Sequence, residues 1–154
     1  MTRAFYLAFI TLFIITGFTA EPFKVTHSVI YQADKSFADA REAVELAIEG
    51  QGLVISYVSH AGAMFSRTAK AVGNKPELYE DAHSLFFCKA DLSDKMVRAD
   101  PHAISYCPYS ISVYQLKGQR GKSYISYPVV PDSVKNYKAI KQLLDDIVQE
   151  AVDF

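Results

Sequence analysis

One short stretch narrows the fold more than any other: Tyr109, Ile111 and Val113 alternate with Ser110 and Ser112, the period-two signature of a strand with one buried face. A sheet made of such strands needs an apolar layer on one side. Lys117 to Lys122, with Gly118 and Gly121, reads as a hairpin connection into a second strand over Tyr124 to Tyr127. The apolar layer is at hand further on. Pro131, Asp132 and Ser133 open a terminal helix in which Tyr137, Ile140, Leu144, Ile147 and Ala151 fall on one stripe.

Upstream, residues 23–32 are rich in Val, Thr, Ile and Tyr and read as a first strand. Ser36 with Asp39 gives a helix start, with Phe37, Ala40, Val44, Ala47 and Ile48 on one face and a stop at Gly50 and Gly52. A short apolar strand follows over residues 53–58. A helix around residues 63–71 comes next, then a loop through Gly73, Asn74 and Pro76, then a strand over residues 84–88. Asp91 or Ser93 caps a short helix carrying Met96 and Val97, which ends before Pro101 because a residue preceding proline disfavours helical angles. This order is neither a βα alternation nor all-β. It predicts an α+β fold of two layers, a mainly antiparallel sheet packed against helices.

The N-terminus sets the compartment. Arg3 supplies the only charge before Glu21, and Ala4 to Ala20 is uncharged, as in an export signal. Seventeen such residues span about 26 Å as a helix, short of the roughly 30 Å hydrocarbon core, so a cleaved leader over residues 1–20 is favoured over its alternative, an N-terminal membrane anchor. The expected mature chain, residues 21–154, is one domain, periplasmic or secreted, with no membrane association after cleavage. The whole chain has 16 Lys plus Arg against 17 Asp plus Glu, which argues against nucleic acid, whose phosphates call for a basic face.

Several landmarks occur in a set order: Ser59-His60-Ala61-Gly62, Lys95-Met96 before Ala99-Asp100-Pro101, Pro108 leading the alternating strand, and Gly121-Lys122-Ser123-Tyr124-Ile125-Ser126-Tyr127. Together they resemble domain-of-unknown-function family 302, over roughly residues 23–131. The resemblance implies a compact α+β domain with a curved antiparallel sheet, open to homodimer formation, and an unassigned activity. Where many members have a Gly-Asn-Pro turn this chain has Cys88-Lys89-Ala90, and Cys107 replaces an aliphatic residue, which marks a cysteine-bearing exported subgroup.

Among residues able to carry chemistry, His60 stands out. It ends a strand beside small Ala61 and Gly62, a position suited to the mouth of a pocket, and it matches the family's histidine; its bland reading is a turn-closing histidine. In Glu80-Asp81-Ala82-His83 the Asp81 and His83 side chains meet on one face if the stretch is extended, but a solvated loop is the favoured reading, and His102 reads as a surface turn. His60, Met64, Cys88, Met96, His102 and Cys107 make up a soft ligand set suited to copper or noncovalent haem, of which His60, Cys88 and Cys107 are the core, but none is paired at a recognised ligand spacing. No Cys-x-x-Cys occurs, so covalent c-type haem and thioredoxin-like chemistry are excluded. Ser59 and His60, as strand neighbours, point to opposite faces and form no nucleophile and base pair, so no catalytic residue is assigned and no cofactor is identified. The expectation is a noncatalytic module that binds a small ligand, a cofactor or an exported protein partner near His60. The alternative is a thiol or metal redox protein using Cys88 and Cys107. Two cysteines in an oxidising compartment also point to one Cys88–Cys107 disulfide, with Cys107 sharing the inward parity of Tyr109.

Overall fold

The computed structural model describes residues 22–69, 71–73 and 78–154, so the expected leader and the Asn74–Pro76 part of the loop lie outside the described residues. In chain order the elements are β1 (Phe23–Val25), β2 (Ser28–Ala33), α1 (Phe37–Gly50), β3 (Ile55–Ser59), α2 (Ala61–Thr68), β4 (Tyr79–Phe87), α3 (Ala90–Ala99), a 3₁₀ turn (Pro101–Tyr106), β5 (Tyr109–Leu116), β6 (Ser123–Pro128) and α4 (Tyr137–Asp153). The strands form one antiparallel sheet in the order β1-β2-β6-β5-β4-β3. The fold is α+β.

Register turns the alternation of β5 into a layer. Leu85 pairs with Ile111, Phe87 with Tyr109, and Val113 with Ile125, which pairs in turn with Tyr31. These side chains are buried on one face, where α1 contributes Val44 and Ile48 and α4 contributes Ile140, Leu144 and Ile147 to the same core. Each fully buried aliphatic side chain is worth about 1.5–3 kcal/mol, so this contact between helices and sheet dominates stability. The terminal stripe is integral to the core.

Local chemistry sets the helix ends. Ser36 Oγ accepts the Asp39 backbone N–H at 3.2 Å and starts α1 as expected. At the other end, α4 begins at Tyr137 rather than at Pro131, because Asn136 stands in left-handed conformation at φ 61° and interrupts helical geometry there. Lys89, not Asp91 or Ser93, occupies the α3 start, and Ser93 bonds the Tyr109 hydroxyl instead.

Two strand boundaries differ from the sequence reading. Residues 23–32 are not one strand: a turn at Thr26 and His27 folds β1 back on β2, pairing Phe23 with Ile30. No glycine or proline announces that turn. The fourth strand starts at Tyr79 rather than Ser84, because its polar first half is held by pairing to Tyr114, Gln115 and Leu116 of β5.

Candidate functional site

If odd-numbered residues of β5 face α1 and α4, the even-numbered ones face the other way. There the register aligns Ser84 with Ser112 and Ser112 with Ser126 across three strands, and the Ser84 and Ser112 hydroxyls share a 2.8 Å hydrogen bond. Helix α2 packs against β4 at the edge of this face. Its Phe65 stacks on Tyr79 at 6.2 Å, Tyr79 meets Tyr114 edge-on, and Tyr114 stacks on Tyr124 at 5.3 Å. Between α2 and the serine row lies a cleft of about 270 Å³. Ala61, Phe65, Tyr79 and Tyr114 line it with Ser84, Ser112 and Ser126, and none of its described lining residues is Asp, Glu, Lys or Arg.

Gly62 sets how closely α2 approaches. A β-carbon there would stand 2.7 Å from the Ala82 backbone nitrogen and 2.7 Å from Asp81 Oδ1, closer than real side chains come. Only glycine fits without a shift.

His60 sits at the junction of β3 and α2, exposed. Its Nδ1 lies 2.9 Å from His83 Nε2, which in turn is 3.5 Å from Asp81 Oδ1. His83 is therefore no loop residue: it belongs to β4, is 9% exposed, and packs edge-on against Phe37 of α1. Burial is the main cause that pulls its pKa below the usual histidine value, with Asp81 opposing and His60 adding to the shift. A neutral His83 protonated on Nε2 donates toward His60 Nδ1 or Asp81, which leaves only the bare lone pair of buried Nδ1 without a partner. His60 itself does not line the cleft; it adjoins it through Ala61 and His83, which do.

Cys88 and Cys107 meet at the opposite end of β4. Both are free thiols, Cys88 exposed and Cys107 half-buried, with the sulfurs 2.7 Å apart and Cys107 Sγ 3.8 Å from Ser93 Oγ. Cys107 is thus less buried than its parity with Tyr109 implied. Local desolvation, and then the hydrogen bond to Cys107, pushes the Cys88 thiol up to about 11. The adjoining Tyr109 hydroxyl is pushed up to about 12, chiefly by burial.

This geometry separates the soft ligand set. Ser59, next to His60, pairs with Ser84, whereas Ile55 pairs with Phe87, next to Cys88, so the histidine and the thiols sit at opposite ends of the β3–β4 ladder. Met96 is fully buried in the core, Met64 is exposed on α2, and His102 is exposed on the 3₁₀ turn. Among the described residues, no group of three or more His, Cys, Asp or Glu is placed to hold a metal ion.

The fold and this cleft define a small domain with a helix-covered antiparallel sheet and a second, polar sheet face. The chain belongs to the family described as domain of unknown function DUF302, whose model matches residues 29–153. It is also similar to the crystal structure of the uncharacterized conserved protein DUF302 from Bacillus stearothermophilus, with a TM-score of 0.65 and 12% identity over 82% of this chain and 99% of that one. That likeness bears on the fold. No curated protein matches the chain.

Gly62→Ala should lower stability by about 1–3 kcal/mol, as overpacking against a backbone does, and should move the chemical shifts of Asp81 and Ala82. Urea unfolding measures the first. An unchanged unfolding midpoint contradicts the close approach of α2.

Proposed function

We propose that this chain is an exported, noncatalytic binding module that takes a small, uncharged, polar ligand into the serine-floored cleft beside His60 and His83. The observation that carries this reading is the composition of the cleft: hydroxyls on the floor, aromatic rings on the rim and no formal charge from Asp, Glu, Lys or Arg among its described residues. Convergent hydroxyls give direction through hydrogen bonds, and the rings cover the faces of a planar or ring-shaped body. A charged ligand would lose its hydration there without a counter-charge. Small Ala61 leaves room at the mouth. The uncharged stretch after Arg3 supports export. Among the described residues no helix is long and apolar enough to cross a membrane.

Native mass spectrometry of the full chain purified from its own host tests the assignment. The expected result is a small stoichiometric adduct that disappears in Ser112→Phe, a variant that fills the cleft from the solvent-facing side of β5. Identical bare masses for both proteins contradict it.

A second reading, compatible with the first, rests on the sulfur positions. We infer that Cys88 and Cys107 are oxidised to a disulfide in the exported protein. An exported disulfide oxidant accepts the two electrons and two protons of the thiols and is reduced to a dithiol while the Cys88–Cys107 bond forms. The separation of 2.7 Å needs only a small movement to reach bonding distance. Raising the Cys88 thiol disfavours a standing thiolate, so a closed structural bridge suits this pair better than a reactive nucleophile. Tying ends 19 residues apart stabilises the fold by about 3 kcal/mol on the loop-entropy model. Thiol titration of unreduced, denatured protein from the exporting compartment should find no free thiols. Two free thiols would sink the bridge.

A further inference from the structure

A second cavity lies on the other side of the sheet, between the ends of β2 and β6, the connection that follows β6, and the first turns of α4. At about 650 Å³ it is larger than the serine-floored cleft and falls within the range of small-molecule sites. Its chemistry is also different. Val29, Tyr127 and Val134 give it an apolar body, and the walls carry Lys135, Lys138 and Lys141 against a single acid, Asp132.

The lysines are not equivalent. Lys141 is engaged by Asp145, which also accepts the hydroxyls of Tyr31 and Tyr127, so that carboxylate is already satisfied from three sides. Lys135 and Lys138 are exposed, and no described carboxylate pairs with either. A separate cavity of about 480 Å³ shares Asn136, Lys138 and Gln142 with it and is bordered on the α3 side by Leu92 and Lys95. Lys138 borders both cavities. In a chain of net charge −1, three lysines against one lining acid, with Lys141 already paired to Asp145, leave Lys135 and Lys138 as a local excess of positive charge.

We propose that this cavity binds an amphipathic organic acid, with the hydrocarbon body over Val29, Tyr127 and Val134 and the carboxylate at Lys135 and Lys138. Apolar surface drives the body into the cleft, and the exposed cations set the preference for a negative head, an attraction that salt weakens. The site is independent of the serine-floored cleft, whose lining lacks both the cations and this volume.

Decanoate serves as the probe, titrated into the full chain by isothermal calorimetry at low salt while backbone amide shifts are followed by NMR. Expected are one site per chain, shifts centred on residues 127–142, at least tenfold weaker binding of decanol, and a similar loss in the Lys135→Glu/Lys138→Glu double variant. Both lysines are on the surface, so the variant should melt like wild type, and a Val134→Trp variant that fills the apolar body should also lose binding. The proposal is overturned by no heat and no shifts up to 1 mM decanoate, by equal binding of decanol, by shifts centred on the serine row, or by unchanged affinity in a folded double variant.

Discussion

The structure depends on one face of the sheet being sealed by α1 and α4. Every central strand contributes to that contact: Val29 and Tyr31 from β2, Ile125 and Tyr127 from β6, Ile111 and Val113 from β5, Leu85 and Phe87 from β4. At about 1.5–3 kcal/mol for each large side chain removed from water, this layer outweighs any polar contact in the molecule, most of which are exposed pairs worth less than about 1 kcal/mol. It also fixes register, because a slip of one residue would exchange Ile111 for Ser112 on the helix side.

What the sealed face dictates, the opposite face uses. Once Ile111 and Val113 are committed inward, Ser110, Ser112 and Tyr114 are committed outward, and pairing brings Ser84 and Ser126 into line with Ser112. A row of hydroxyls is then a by-product of core packing, and α2 closes one side of it only because Gly62 lets the helix touch β4. His83 belongs to the core face yet reaches His60 at the strand edge, so it ties the packing of α1, through Phe37, to the mouth of the cleft. Among the described residues, two cavities are chemically opposed: one on the open face lined without Asp, Glu, Lys or Arg, and a lysine-rimmed one at the start of α4.

Legibility in the sequence followed the range of the interactions. The alternation in β5, the Ser36 cap and the stripe of α4 are local patterns, and the structure has them where periodicity puts them. His83 was opaque because its neighbours Glu80 and Asp81 are acidic, and only pairing with β5, thirty residues on, makes that stretch a strand. The serine row was hidden for the same reason: three serines from three strands become neighbours through register, which no window of sequence contains. Asp145 is a further case, joined to Tyr31 across 114 positions. For the two cysteines, composition called for a pairing and the fold brings the sulfurs together, while His60, grouped with them by ligand chemistry, stands at the far end of the ladder.

If, as proposed, the hydroxyl-lined face receives a ligand while the helix-covered face carries stability, the two faces differ in how their hydrogen exchange responds to ligand removal. Hydrogen exchange of the full chain, read amide by amide on protein as isolated from its host and again after unfolding, dialysis and refolding, measures that difference most directly. Stripping bound molecules should accelerate exchange around α2, Ser84, Ser112 and Ser126, while Ile111, Val113, Ile125 and the buried turns of α4 stay equally slow. Equal protection at the serine row before and after stripping, or a loss spread evenly over the core, would contradict the proposal.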